Sequence, residues 1–208
     1  MARADTAETL TIRPATAADI PALETLIAAS ARALGRGYYS DAETEAAIAH
    51  IFGVDSELVV DGTYLVAEQG GRIAGCGGWS RRRTLFGSDR AATRDAGALD
   101  PATEPARIRA FFVAPEAARH GVGTFLLAAC EEAARHHGFG RTTLMATLPG
   151  EPFYARHGYR AEPAIALDLA GTTIRFVPMM KNLLHIGNNM QSSRRAEQND
   201  LMDSAEAP

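Results

Sequence analysis

The chain has 208 residues, of which 46% are hydrophobic and 22% are charged, enough for one globular domain with a sizeable core. Its formal net charge of -4 gives no general electrostatic case for nucleic-acid binding. No run of about 18 apolar residues predicts a membrane span. Residues 1–8 lack the apolar core of a signal peptide, and the two cysteines fit buried free thiols, so we expect a cytoplasmic protein.

The first third of the chain predicts one strand and two helices. Residues 10–13 alternate like a short strand. Thr16 then caps a helix that runs to about residue 34, where glycines interrupt it. Ser40 and Glu43 form the capping box of a second helix, which we expect to continue to Gly53.

The middle of the chain predicts a hairpin and a long loop. Residues 64–68 and 73–79 form two strands joined by a two-glycine turn, Gly70-Gly71. The second strand contains three glycines, which indicate a bulge, the close approach of another group or tight packing against a helix. Residues 81–103 have no period and predict a surface loop, of a length that is often functional.

A strand, a glycine turn and a helix then follow in immediate succession. Residues 107–113 form the strand, and the helix starts at Gly121 and Gly123 and ends before Gly138. A helix start has unpaired N–H groups and a partial positive charge, and glycines let a phosphate approach them closely. The sequence therefore predicts an anion site at this turn, best suited to a pyrophosphate.

The remaining elements complete a mixed α/β fold. We expect a strand over residues 142–148, a short helix over 152–157, and strands over 165–169 and 173–180. This order predicts an α/β (α+β) sandwich with helices on both faces of a mixed, largely antiparallel sheet. We assign residues 1–8 to a flexible N-terminus, 9–184 to the domain and 185–208 to a disordered tail.

Two motifs carry a family resemblance. Residues 118–123 resemble the coenzyme A signature of the GNAT superfamily of N-acetyltransferases, with both glycines in place but Ala118 where the family has Arg or Gln. Phe153-Tyr154 and Gly158-Tyr159 match the family's second signature. A dinucleotide-binding turn fits less well because Leu126 stands where its third glycine belongs. The resemblance covers roughly residues 9–184 and implies the GNAT fold.

The resemblance implies acetyl-CoA as co-substrate and a splayed strand pair that holds it. Thr147 occupies the place of an Asn that often contacts the pantetheine arm in the family. Tyr154 would be the general acid, because a phenol with a pKa near ~10 keeps its proton at neutral pH and can give it to a thiolate. The implied cofactor-binding residues are Phe112, Val113, Ala114, Arg119, His120, Gly121, Val122, Gly123, Thr124 and Thr147.

A general base and an acceptor pocket are harder to assign. Glu104 is the carboxylate nearest the strand before the signature, so it is our candidate base, with a water chain as the alternative. Arg107 or Arg109 facing the cleft would favour an acceptor with an acidic group. Candidate pocket residues are Tyr38, Tyr39 and Trp79, and residues 81–83 are either a phosphate contact or a solvated loop.

We therefore expect an N-acetyltransferase that transfers an acetyl group directly to a primary amine of a small molecule. The alternative is a non-catalytic acyl-CoA sensor of the same fold, which the altered Ala118 and the lack of an evident base would suit. The histidines have no metal-ligand spacing, so we expect no metal. We expect no nucleic-acid or membrane partner, and the sequence leaves a homodimer open.

Overall fold

The computed structural model describes residues 9–91, 94–95 and 97–183, so the predicted flexible N-terminus and tail lie outside the described residues. The helices are α1 Ile20–Leu34, α2 Asp41–His50, α3 Ser56–Val60, α4 Val122–His136 and α5 Glu151–Arg156. The strands are β1 Thr11–Pro14, β2 Tyr64–Gln69, β3 Arg72–Ser80, β4 Ala106–Val113, β5 Arg141–Thr147, β6 Arg160–Ala161, β7 Ile165–Leu169 and β8 Thr172–Asn182.

The strands form one sheet in the order β1-β2-β3-β4-β5-β8-β6, with β7 also paired to β8. Every described pair is antiparallel except β4 with β5. Helices α1 and α2 cover one core cluster of the sheet, and α4 covers the other two. The predicted mixed sheet with helices on both faces is therefore confirmed. None of the helices in the described ranges is long and apolar enough to span a membrane.

The second helix shows where local sequence signals succeed and fail. Its predicted capping box is present, since the backbone N–H of Ser40 donates to Glu43 Oε2 at 2.8 Å. The helix ends at His50, however, and not at Gly53. A further helix, α3, follows at once, with Asp55 as its N-cap. Its five residues are too few to show a helical period, so the sequence did not predict it; the two-residue strand β6 was missed for the same reason.

The structure shows each cause that the sequence left open for the glycines of β3, including packing against a helix, since a Cβ on Gly75 would lie 2.9 Å from Val122 of α4. Between its paired residues, Gly77 of β3 faces two residues of β4, Ala110 and Phe111, which is a β-bulge. A side chain at Gly77 would also collide with the ring of Phe111. Ala110 has φ +49°, and its carbonyl accepts a hydrogen bond of 3.0 Å from the buried hydroxyl of Tyr64. The bulge interrupts the regular pairing of β4 with β3 near the centre of β4.

The long loop after β3 is tied to the rest of the fold. The backbone N–H of Ser88 donates to the carbonyl of Ile51 at 2.9 Å, and that of Asp89 donates to Val54 at 3.1 Å. Arg90 binds the carbonyl of Phe52 and the carboxylate of Glu24, both at 2.5 Å. The described part of the loop therefore lies against the segment that joins α2 to α3.

Candidate active site

A cavity of about 880 Å³ passes through the centre of the molecule. It is lined at one end by the start of α4 and by α5, in the middle by β4 and β5, and at the other end by α1, α2 and the loop that carries Phe86. Its volume lies in the range of known ligand pockets. We call its α4–α5 end the cofactor half and its α1–α2 end the acceptor half.

A gap between β4 and β5 connects the two halves. The two parallel strands pair from Ala106 with Thr142 as far as Ile108 with Leu144, and not beyond. The bulge at Ala110 begins directly after this point, and β4 then continues to Val113 without β5 as its partner. The expected splay between these strands is therefore present, and it leaves backbone polar groups of β4 open toward the cavity.

The start of α4 provides donors for an anion in the cofactor half. Gly121 precedes the helix with φ +87°, and open space surrounds the position of a Cβ there. The backbone N–H groups of Val122, Gly123 and Thr124 form the first turn and have no acceptor within the helix. A Cβ on Gly123 would lie 3.2 Å from the ring of Phe153, so glycine lets α4 and α5 approach closely. These groups fit a pyrophosphate.

Polar side chains surround this helix start. The hydroxyl of Thr124 lies 3.0 Å from Nε2 of His157, and Nδ1 of the same ring lies 2.8 Å from the carbonyl of Phe153. Since a carbonyl can only accept, Nδ1 carries a proton, and in the neutral ring Nε2 accepts from Thr124. Arg119 and Arg156 line the same half of the cavity and add positive charge.

Tyr154 stands at the inner end of the cofactor half. Its ring is held edge-on by Phe111, Phe153 and Tyr159, with centroids 6.1, 5.0 and 5.6 Å away. Its hydroxyl makes no hydrogen bond with any residue that the structure describes, although the residue lines the cavity. Burial raises the pKa of the Tyr154 phenol above its ordinary value, so the group is protonated at neutral pH.

Tyr39 closes the end of β5 next to the gap. Its hydroxyl donates to the carbonyl of Arg175 at 2.7 Å and accepts from the N–H of Leu148 at 2.8 Å. Burial raises the pKa of Tyr39 to about 12. Thr147 lies beside it and accepts a hydrogen bond of 3.2 Å from the N–H of Gly150 at the start of α5. Both side chains therefore help to fix the end of β5.

Aromatic rings form the walls of the acceptor half. Phe52 packs edge-on against Phe112 and Phe176, with ring centroids 5.3 and 6.1 Å apart. Phe86 from the long loop lies 6.2 Å from Phe176. All four rings line the cavity, together with Tyr38 and Tyr39. This end of the cavity is largely apolar.

A buried ion pair lies behind that wall. The guanidinium of Arg109 is paired with the carboxylate of Asp55, and both side chains are 0% exposed. The same guanidinium donates to the carbonyl of Gly87 at 3.1 Å, and Arg94 binds the other oxygen of Asp55 at 2.6 Å. Burial lowers the pKa of Arg109, an effect that Asp55 opposes. The pair links β4 to the start of α3 and to the loop that carries Gly87. Because both side chains are buried, their charges are not exposed to the cavity.

Comparison with known proteins agrees with this geometry. The model of the acetyltransferase (GNAT) family matches residues 27–159, which is most of the described domain. The chain belongs to the GNAT family of acetyltransferases. Among curated proteins, none matches this sequence.

Solved GNAT structures share the fold at low sequence identity. A GCN5-related N-acetyltransferase from Rhodopseudomonas palustris superposes with a TM-score of 0.64 at 21% identity, covering 86% of this chain and 99% of the other. The PaiA N-acetyltransferase from Thermoplasma acidophilum, solved with coenzyme A, gives 0.57 at 16% identity over 84% and 99%. A ribosomal-protein-alanine N-acetyltransferase from Brucella melitensis gives 0.55 at 21% identity over 83% and 99%. The GNAT fold is one that binds acetyl-CoA.

Most of the residues that the GNAT resemblance implied line the cavity. Those that do are Phe112, Val113, Arg119, Gly121, Gly123, Thr124, Thr147 and Tyr154. The others that the resemblance implied, Ala114, His120 and Val122, are not among the lining residues. Val122 and Ala114 pack into the core under α4, and the N–H of His120 already donates to Ala117 at 3.4 Å.

The remaining candidates lie elsewhere. Glu104 binds Arg83 and the N–H of Asp100 and is not among the cavity-lining residues. Trp79 is 2% exposed and packs against the tilted ring of His137, with centroids 4.7 Å apart, so it is a core residue. Arg82 pairs with Asp61 and does not line the cavity either. Their contacts stabilise the fold around the long loop and beside the end of α4.

Several cavity residues were not predicted from the sequence, among them Arg156, His157, Phe86, Phe52 and Phe176. Arg156 and His157 lie two and three residues after Tyr154, so the second signature could have indicated them. Phe86 lies in the aperiodic loop, where no local pattern distinguishes a lining residue from a solvent-exposed one.

Proposed function

We propose that the protein transfers an acetyl group from acetyl-CoA directly to a primary amine of a small molecule. The observation that carries the proposal is one continuous cavity, in which the free N–H groups at the start of α4 and the hydroxyl of Tyr154 lie in one half and an open strand gap connects them to the other half. Such an arrangement suits a thioester and an amine that enter from opposite ends, because holding both reactants in place makes their reaction effectively unimolecular.

The cofactor half fits the phosphate end of acetyl-CoA. The N–H groups at the start of α4 would hold the pyrophosphate, with Arg119 and Arg156 as cationic partners. The open edge of β4 from Phe112 to Val113 would hydrogen-bond the amides of the pantetheine arm. Bound in this way, acetyl-CoA supplies an activated acyl group to the centre of the cavity.

Two groups of the chain would assist the transfer. A backbone N–H of β4 at the gap would stabilise the negative charge that develops on the thioester oxygen. When the C–S bond breaks, the sulfur of CoA leaves as a thiolate, and Tyr154 would donate its proton or a hydrogen bond to it, because a thiol with a pKa near ~8.5 is mostly protonated at neutral pH. The raised pKa of Tyr154 keeps this proton in place over the whole range of an ordinary assay.

The cavity provides no carboxylate as general base. Among the residues that the structure describes, no Asp or Glu lines it, and Glu104 lies outside. The amine would therefore lose its proton to solvent and bind as the free base. We expect kcat/KM to rise with pH toward the pKa of the amine, with no rise at the pKa of a carboxylate. The pH profile for two amines of different pKa tests this.

Replacement of one hydroxyl tests the role of Tyr154. We expect Tyr154→Phe to lower kcat at least about tenfold, because a positioned general acid is lost, while the affinity for acetyl-CoA changes less than about twofold. Release of free CoA in the presence of an amine measures the rate, and calorimetry measures the affinity. Tyr159→Phe is the matched control, since its hydroxyl bonds Thr142 at 2.9 Å in the core. Equal rates for the Tyr154 variant and the parent would refute the acid role.

A sensor that binds acyl-CoA without catalysis is the second candidate. Ala118 in place of the family's Arg or Gln and the absence of a lining carboxylate among the described residues favour it. Tight binding of acetyl-CoA with no CoA release across a broad amine panel would support the sensor and refute the transferase.

A further inference from the structure

We propose that the acceptor is a small apolar monoamine, with an aryl or alkyl body and no second charge. This inference rests on the proposed function, because it names the substrate class for the same cavity. The inference depends on which side chains line the acceptor half and on whether the charged groups near it already form ion pairs.

The walls of the acceptor half select for an apolar body. Phe52, Phe86, Phe112 and Phe176 form one continuous set of edge-on and tilted ring contacts that lines this half. Ile51 and Met145 fill the surface between the rings. Burying an apolar ligand surface against such rings is favourable, whereas burying a charged group there without a partner is costly. We therefore expect the acceptor half to bind an aryl or alkyl group favourably.

The carboxylates nearest to this half are already paired. Glu24, behind Gly53, binds Arg90 at 2.5 Å and the N–H of Val54 at 2.8 Å. Asp55 binds Arg94 and Arg109 and is fully buried. Neither residue lines the cavity. Because no Asp or Glu of the described residues lines the cavity, a second ammonium group on the acceptor would have no carboxylate in contact with it.

Acidic acceptors lack a partner for a different reason. Arg109 belongs to the cavity lining, but its side chain is 0% exposed: Nη2 contacts Asp55 and the carbonyl of Gly87, and the buried Nε and Nη1 make no hydrogen bond with the described residues. The two lining arginines that remain, Arg119 and Arg156, lie in the cofactor half beside the start of α4. A carboxylate on the acceptor would therefore have no guanidinium to bind. The sequence would favour an acidic acceptor only if Arg107 or Arg109 faced the cleft; Arg107 does not line the cavity, and the side chain of Arg109 is 0% exposed.

The size of the cavity limits the acceptor as well. The bound part of the cofactor and the acceptor must share the same 880 Å³, with the transfer point at the strand gap. The side chain of Tyr39, whose hydroxyl is bound to the end of β5, closes the cavity beside that gap. A monoamine of one ring or a short chain suits the remaining space.

A matched pair of amines tests the inference on the full chain. Pentylamine and 1,5-diaminopentane differ by one terminal ammonium group, and phenylethylamine and phenylalanine differ by one carboxylate. We expect kcat/KM for the uncharged-tail member of each pair to exceed that of its partner by at least about tenfold, because the partner buries an unpaired charge. A preference for the diamine, or for phenylalanine, would overturn the inference while leaving the transferase proposal intact.

A substitution in the wall sharpens the test. Phe86→Asp places a carboxylate in the acceptor half, on a loop residue that is half-buried, and should shift preference toward the diamine at least about tenfold. Phe86→Asn removes the ring without adding charge and should leave the diamine disfavoured. An unchanged preference in the Asp variant would contradict the placement of Phe86 in the acceptor half and with it the inference.

Failure of the transferase proposal would be distinguishable. If acetyl-CoA binds but no amine is turned over, the proposed function fails. Calorimetry with the CoA-saturated protein then still decides the pocket's preference: tighter binding of pentylamine than of 1,5-diaminopentane supports the apolar site, and the reverse order refutes it.

Discussion

The two halves of the cavity are lined by different kinds of chemical groups. The cofactor half is made of main-chain N–H groups, a threonine, a histidine and two arginines around the start of α4. The acceptor half is made of phenylalanine and tyrosine rings, with its nearest charges locked into pairs behind the wall. One half is suited to holding phosphates, and the other to holding an apolar body, so each should respond to its own set of substitutions.

The largest effect should come from a negative charge in the cofactor half. Gly121→Glu places a carboxylate next to the start of α4, and we expect acetyl-CoA affinity to fall at least about 100-fold because of charge repulsion at short range. Calorimetric titration measures it. Gly121→Ala is the control, since it imposes the strain of φ +87° (about 1–2 kcal/mol) without the charge. Similar losses for both variants would show that strain, and not charge, decides binding.

A second prediction concerns the charges behind the acceptor half. Asp55→Asn leaves Arg109 as a buried cation without its counterion, and we expect the free energy of unfolding to drop by about 3 kcal/mol. Denaturant titration measures this. Glu45→Gln, which breaks the exposed pair with Arg32, should change the free energy of unfolding much less, because solvent screens that pair.

The same variant separates the two halves. The affinity of the folded Asp55→Asn protein for acetyl-CoA should remain within about threefold of the parent, because the ion pair lies behind the acceptor wall and not beside α4. A large loss of affinity in the folded variant would mean that the halves are coupled and that the comparison above is wrong.

A smaller loss of acetyl-CoA affinity is expected from a threonine in the cofactor half, and a threonine in the acceptor half provides the control. Thr124→Val removes the hydroxyl next to His157 and should weaken acetyl-CoA binding about fivefold, which corresponds to about 1 kcal/mol. Thr44→Val makes the same change on α2 in the acceptor half and should leave that affinity unchanged. Direct binding titrations of both variants measure the difference. Equal effects would contradict the assignment of the halves.

Sequence signals of short range were reliable in this protein. The strand–glycine–helix turn at residues 107–124 is present because each of its parts depends on neighbouring residues: a strand alternation, a glycine that tolerates positive φ at Gly121, and an apolar helix face. The capping box at Ser40 and the hairpin at Gly70-Gly71 are present for the same reason. Together with the order of elements, these features were enough to predict the fold and the cofactor half.

The sequence by itself therefore determined the fold class and the glycine turn before α4, because local backbone geometry and apolar periodicity encode them, and the resemblance of its second signature to the GNAT family indicated Tyr154. The tertiary structure decided the acceptor half. Which of Arg109, Glu104 and Phe86 faces the cavity depends on partners far apart in the chain, such as Asp55 for Arg109 and Arg83 for Glu104. Whether a charged side chain is buried or forms an ion pair depends on segments that meet only in the folded protein, so no local sequence pattern indicates it.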